Sequence, residues 1–377
     1  MKHLEPVMIT LAFGTSALLA ACSDTAGAKA DAGGATDGGV VDGGAAFESG
    51  TRVDVQVPAN GRTYLRLAPP AVVTPTGDPK ASKEWDLAFE GYDVFTNSGP
   101  SGAGAGAAFG PLDPGDFPGG TLPDVPFVNP DKSGGAFLDW YDYDGAGNHV
   151  LWSRFHVYGV KDGTRTFKVQ VLGYYGERDG TGVPALYTIR YAEVDASGSK
   201  PAVVVTDLDG TAGGPAGGVN AKSACIDFGT GERTMLTPAE ASGSSAWHVC
   251  FRRNAILVNG ELGGPRGTGA ADLDASETAG ETLEAVKLRT PESELARFDR
   301  VDAARFAAST FRGDRVVTAF DGLWTTKGTP PLTPVPATWL VVAADGKTRH
   351  KVAFAAFAGA TTTSPGTIDL RTKPVTP

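Results

Sequence analysis

The sequence predicts an all-β fold: two tandem, related antiparallel β domains, with a short helical insertion in the second. Three observations carry this expectation. Short runs rich in Val, Tyr, Phe and Thr alternate with turn residues, and 51 Gly and 26 Pro among 377 residues leave little room for long helices. A phrase also repeats. Residues 84–99 read EWDLAFEGYDVFTNSG and residues 247–260 read WHVCFRRNAILVNG; Trp247 answers Trp85, Phe251 answers Phe89 and Asn259 answers Asn97, each at an offset of 162. A fixed offset across aromatic and turn positions marks a duplication. Further along the offset changes: Trp324 answers Trp140 at 184 and Lys351 answers Lys168 at 183, which places about 22 extra residues within 272–311. There Leu283, Val286, Leu295, Phe298, Val301 and Phe306 have helical spacing, and Pro291-Glu292-Ser293-Glu294 reads as a helix start.

Taken in order, residues 1–21 are a signal peptide: a weakly basic start, then a short apolar run too small in its side chains for a membrane span. The run ends in Leu19-Ala20-Ala21-Cys22, which resembles a bacterial lipobox, so Cys22 is the expected lipid-attachment residue. Acyl chains there anchor the protein to a membrane. Residues 22–50 supply the lipidated Cys and a Gly/Ala/Asp tether with too little apolar content to offset the entropy of ordering. The first β domain is expected over residues 51–206 and the second over 207–377. In each, the Trp strand alternates with period two, so Trp85, Leu87 and Phe89 are expected on one buried face, as are Trp247, Val249 and Phe251.

Function classes are narrowed mainly by what the chain lacks. A net charge of −10 argues against nucleic acid and against an anionic membrane surface as partner. The glycine loop at residues 98–106, SGPSGAGAG, has no Lys-Ser/Thr and no following helix, so it is not a nucleotide cradle. No Gly-x-Ser-x-Gly elbow and no His-Glu-x-x-His motif occurs, and the chain reads as a non-enzyme. Asp142-x-Asp144-Gly145 begins like a calcium loop but lacks the closing Glu.

Cys225 and Cys250 fall in strands, both pointing away from the aromatic side. An exported chain passes through an oxidising compartment, so matching faces predict a disulfide closing a loop of about 25 residues. The mature chain has four histidines. His149 sits in a loop and His156 in the next strand. Imidazoles are the residue type that holds a haem iron, but these two face one iron only if the chain folds back between them. On residue types alone, a loop His and a strand-face His without a ligand is the simpler reading. No other metal is expected.

Trp85-Asp86-Leu87-Ala88-Phe89, then Thr96-Asn97-Ser98-Gly99 and its glycine loop, Trp140-Tyr141-Asp142-Tyr143, TFKVQVLGYY at residues 166–175 and Tyr187-Thr188-Ile189-Arg190-Tyr191 together resemble the HmuY family of haem-binding bacterial lipoproteins. The resemblance covers nearly all of the first domain and, more weakly, the second. It implies an all-β lipoprotein, exported to the bacterial outer membrane or cell surface, whose partner is haem or a haem protein. The matching residues are structural ones. The family's haem ligands are His or Met on variable loops, and His149 and His156 are the ligand candidates in this chain. The alternative is a surface adhesion module on the same fold, its exposed aromatics meeting carbohydrate or protein without haem.

Overall fold

A computed structural model describes residues 46–215, 217–323, 333–359 and 365–375. Its strands fall into four consecutive segments. The first holds β1 (Thr51–Val57), β2 (Thr63–Leu67), β3 (Pro70–Val73), β4 (Leu87–Glu90), β5 (Asp93–Thr96) and β6 (Ala107–Leu112). The second holds β7 (Lys132–Gly134), β8 (Tyr141–Tyr143), β9 (Leu151–Ser153), β10 (Val157–Asp162), β11 (Arg165–Arg178), β12 (Thr181–Asp195) and the short β13 (Gly198–Ser199). The third holds β14 (Val203–Asp209), β15 (Ser223–Ile226), β16 (Arg233–Leu236), β17 (Val249–Arg252), β18 (Ala255–Val258) and β19 (Gly269–Asp272). The fourth holds β20 (Arg315–Val317), β21 (Thr338–Val342), β22 (Arg349–Ala358) and β23 (Gly366–Val375). The fold is all-β, as expected.

The segments pair crosswise. One large sheet runs β1-β23-β22-β21-β6, joining the first segment to the fourth. The other takes β12, β11, β10 and β19 in the same order, with β14 also on β12, joining the second segment to the third. Each large sheet faces a four-stranded sheet, β3-β2-β4-β5 in one case and β16-β15-β17-β18 in the other. The result is two sandwiches. Among the described residues, module A consists of 46–131, 315–323, 333–359 and 365–375, around Val55, Leu65, Phe89, Trp339, Phe354 and Ile368. Module B consists of residues 132–314, around Tyr158, Phe167, Tyr187, Phe228, Val249 and Phe251. The division expected between Thr206 and Asp207 is therefore corrected: it falls inside β14, and neither core is built from one half of the chain. Periodicity reports which face of a strand is buried, not which sheet the strand joins.

The duplication itself shows in side-chain detail. Asn97 Nδ2 donates to the carbonyls of Ser82 and Trp85, and its Oδ1 accepts from Gly104 N. Asn259 Nδ2 donates to those of Ser244 and Trp247, and its Oδ1 accepts from Arg266 N. Every partner is shifted by the same 162 residues that separate the two asparagines. The indole N–H groups of Trp85 and Trp247 likewise donate to Pro79 O at 2.8 Å and Ala241 O at 3.0 Å. A Cβ on Gly102 would come within 2.1 Å of Asn97 Oδ1, and one on Gly264 within 2.2 Å of Asn259 Oδ1, so the glycines after each strand let the backbone close over the asparagine.

One register expectation is corrected in both copies. Trp85 and Trp247 are buried, but the strands begin only at Leu87 and Val249. Trp85 packs with Ala88 and Phe95, while Leu87 and Phe89 enter the sandwich core. Trp247 packs with Cys225 and Cys250, while Val249 and Phe251 enter the core. The intervening residue explains the turn-over. Asp86 Oδ2 accepts from Leu67 N and His248 Nδ1 from Phe228 N, so each is tied to the neighbouring strand rather than continuing the alternation. Trp140 is buried in module B, donating to Asn254 O; its repeat partner Trp324 lies outside the described residues.

The helical insertion lies where expected, as Leu283–Lys287, Leu295–Asp299 and Ala303–Ala307. Phe298, Val301 and Phe306 cover the outer face of the large sheet of module B, against Val157, Val194 and Leu273. A Cβ on Gly159 would lie 2.8 Å from the Phe311 ring, so this layer can seat only against glycine there. Lys168 Nζ, buried under it, donates to Phe298 O and Val301 O. Its repeat partner Lys351 donates to Gly119 O and Asp116 O beneath the shorter excursion of module A. A further helix, Pro238–Gly243, opens with a capping box between Thr237 and Glu240 that the sequence reading missed.

Trp247→Ala removes a fully buried ring and its hydrogen bond, and should destabilise module B by ~3–5 kcal/mol in urea unfolding. Trp85→Ala should do the same to module A. Unaltered midpoints in both variants would contradict this packing.

Candidate functional site

The predicted site residues do not converge. Cys22 lies outside the described residues. Cys225 and Cys250, direct partners across β15 and β17, form a disulfide under the Trp247 ring. This bond braces the four-stranded sheet of module B on the side away from the sandwich core, as the strand phase predicted.

His156 immediately precedes β10, with no exposure to solvent. Its Nδ1 lies 2.8 Å from Asp272 Oδ2 and its Nε2 3.1 Å from Glu281 Oε1. Glu281 in turn takes Arg154 and Arg289, and Arg154 also reaches Asp142. Burial pulls the imidazole pKa down, but the hydrogen bonds and charges of Asp272 and Glu281 outweigh it and hold the pKa above its ordinary value. Burial pushes the Glu281 carboxyl up, but Arg154, Arg289 and His156 outweigh that and bring it to about 2. An imidazolium between two carboxylates satisfies every donor. Both ring nitrogens are occupied, so His156 has none free for an iron. Its place is structural, tying β10 to β19 and the helical insertion. Asp272 and Glu281 belong to the insertion region, 116 and 125 residues away in sequence, and no local pattern links them to His156.

His149 is placed differently. It is exposed, at a φ of 57°, in the loop between β8 and β9. Its N–H donates to Asp144 O, and the Asp144 carboxylate is gripped by Lys287. That lysine takes the place a cation would have in the calcium-like loop. His149 Nδ1 is 2.7 Å from Tyr143 Oη. Fixing one ring nitrogen orients the other, and Nε2 is left as the coordinating position. Tyr175 reaches the same hairpin, its Oη accepting from Leu151 N. Tyr143 is 36% exposed and Tyr175 44%; the Tyr143 ring packs against His149, and Tyr175 holds the following strand of the same hairpin. Tyr175 lies opposite Pro184 in the β11–β12 pairing, and its hydroxyl is what reaches the β8–β9 hairpin.

Module B also has a cleft lined by Gly135, Phe137, Leu138, Tyr141, Asn254 and Ile256. The same cleft recurs in module A, where Thr318, Phe320, Tyr92 and Val94 stand at the repeat positions of Gly135, Phe137, Asn254 and Ile256. At Gly135 and Thr318 the copies differ in a side-chain hydrogen bond. Thr318 Oγ1 donates to Val94 O at 2.6 Å across the module A cleft. Gly135 has no side chain to make the equivalent bond in module B.

Among the described residues, no three His, Cys, Asp or Glu side chains gather as a metal site, and no helix is long and apolar enough to cross a membrane. The fold and site define a two-module, disulfide-braced β-sandwich protein with an aromatic rim on one module. No protein-family model matches the chain, and no curated protein matches it.

The charge cluster sets a pH dependence. The folded pKa of His156 is raised, so its stabilising contribution is complete below about 6.5 and is lost as pH rises through the folded value. The depressed Glu281 contributes above about 4.5 and loses its contribution as pH falls towards about 2. Thermal unfolding should therefore show module B weakening as pH rises above about 6.5, and His156→Gln should remove that component. A variant whose pH profile parallels wild type would refute it.

Proposed function

We propose that this chain is an exported, lipid-anchored, non-enzymatic binding protein that captures a planar ligand on the aromatic rim of module B. Haem is the ligand implied by the resemblance to the HmuY family. The observation that carries the reading is the Tyr143–His149 pair: an exposed imidazole with Nδ1 fixed at 2.7 Å by a tyrosine hydroxyl and Nε2 left to coordinate. The exposed rings of Tyr143 and Tyr175 supply the flat apolar surface that a macrocycle stacks on. Of the two candidate ligands, His149 fits this role and His156, with both nitrogens engaged, does not. His149 would hold the haem iron, and the protein's part would be to orient that imidazole through Tyr143.

The same two exposed tyrosines support a second reading, in which the rim stacks on a sugar ring or on side chains of a partner protein, with no iron involved. Titration of the mature protein with hemin separates the two. The haem reading expects a Soret shift saturating at one equivalent, lost in His149→Ala, weakened in Tyr143→Phe and retained in His156→Gln. No shift in the wild type would sink it, and glycan binding lost in Tyr175→Ala would then favour the second reading. The anchor has its own test: a bacterial host should incorporate labelled palmitate into wild type and not into Cys22→Ala.

A further inference from the structure

We propose that Asp131 and Asp314 form a proton-operated clasp that sets how tightly the two modules are joined. The chain crosses between modules twice, and the crossings pair with each other: β7 and β20 form a two-stranded antiparallel ribbon with Lys132, Ser133 and Gly134 opposite Val317, Val316 and Arg315. Asp131 immediately precedes β7 and Asp314 immediately precedes β20, so the two carboxylates stand at opposite ends of the ribbon. They are repeat partners, 183 residues apart, as are Lys168 and Lys351.

Each carboxylate grips an edge strand. Asp131 Oδ2 accepts from Thr96 N at the end of β5 and from Ser101 Oγ, and its Oδ1 accepts from Thr96 Oγ1. Asp314 Oδ2 accepts from Val258 N at the end of β18. Thr96 and Val258 are again separated by 162 residues. One end of the ribbon is thus pinned to module A and the other to module B. Both side chains are buried, Asp131 at 2% exposure and Asp314 at 0%. Asp314 Oδ1 has no hydrogen-bond partner, and a Cβ on Gly135 would come within 2.8 Å of it. A buried carboxylate oxygen without a donor is costly when charged and is relieved by a proton.

The charged neighbours sharpen this. Facing Asp131 is Arg62, itself paired with Glu90. Facing Asp314 is Glu261, which bonds Arg312 and Arg315 on either side of Asp314 in its own crossing. Burial raises Asp131 to about 6, against its three donors and Arg62. Burial raises Asp314 further, to about 7, with one donor opposing and Glu261 adding to the rise. Opening the ribbon to water would return both groups to the ordinary carboxylate range. The closed form therefore holds more protons than the open form between about pH 4 and pH 7. The clasp is tightest at acid pH and loosens as pH rises through that window, Asp131 releasing its proton first and Asp314 last. Lys132 to Gly135 also wall the module B cleft, so loosening the ribbon alters that cleft.

Amide hydrogen exchange on the full chain from pH 4.5 to 8, corrected for intrinsic rates, tests the proposal. Protection at Val258 and along β7 and β20 should fall with rising pH, on the order of a hundredfold across the window. Asp314→Asn, which keeps an acceptor for Val258 N without a charge, should hold Val258 protection nearly constant; Asp131→Asn should do so at Thr96. Carboxyl-carbon NMR titration of the wild type provides a readout that needs no substitution. Ordinary carboxylate midpoints for both residues, or pH-independent protection at Val258 and Thr96 in wild type, would overturn the clasp.

Discussion

The constraint on which the rest of the structure depends is the pairing of β1 with β23. It runs in unbroken register from Thr51↔Thr372 to Val57↔Gly366, joining stretches near the two ends of the described chain. Without it, β1 has no partner in the large sheet of module A, and Val55 and Val57 lose the strand that holds them in the core beside Ile368 and Leu370. Module B needs no such return. All its strands lie within residues 132–314, and its longest pairing, β11 with β12, is a hairpin turning near Arg178 and Thr181. Local pairings close cheaply and early, whereas distant ones wait on loop closure. The architecture thus makes module B a self-contained sandwich and module A a sandwich completed around it.

The exchange also explains why the two modules differ where they do. Positions that close the backbone are the same in both: Asn97 and Asn259 with their carbonyl partners, the glycines beside them, the buried Lys351 and Lys168. Positions facing ligand-sized space have diverged. Thr318 bonds Val94 across one cleft, and Gly135 in the same place of the other has no side chain to do so. Asp86 ties its strand to Leu67 and Ala344, while His248 in the same place ties its own to Phe228 and lies 3.2 Å from Asp162. The helical insertion thickens module B alone and brings Glu281 to His156. The scaffold positions are thus shared between the copies, while the residues at the rim and cleft differ.

Much of this was legible in the sequence. The 162-residue offset is the spacing of real hydrogen-bond partners, the insertion lies where the offset jumps, and matched strand phase placed Cys225 opposite Cys250. Two things were not legible. Alternation assigned Trp85 and Trp247 to the core face, but a side-chain bond from Asp86 or His248 to the adjacent strand breaks the alternation just before each strand begins. And no period in the sequence distinguishes a strand that returns to its own half from one that crosses over. The roles of His149 and His156 depend on the same long-range information, because a tyrosine six residues away decides the first and carboxylates over a hundred residues away decide the second.

The crosswise assembly is tested most directly by cutting the chain in two ways. A polypeptide of residues 132–314 should fold alone, with the Cys225–Cys250 disulfide formed, native near-UV circular dichroism and a cooperative urea transition. A polypeptide of residues 51–206 should not, since it lacks β21, β22 and β23 for one core and β15, β17 and β19 for the other. Cooperative folding of residues 51–206 together with an unfolded 132–314 would contradict the account.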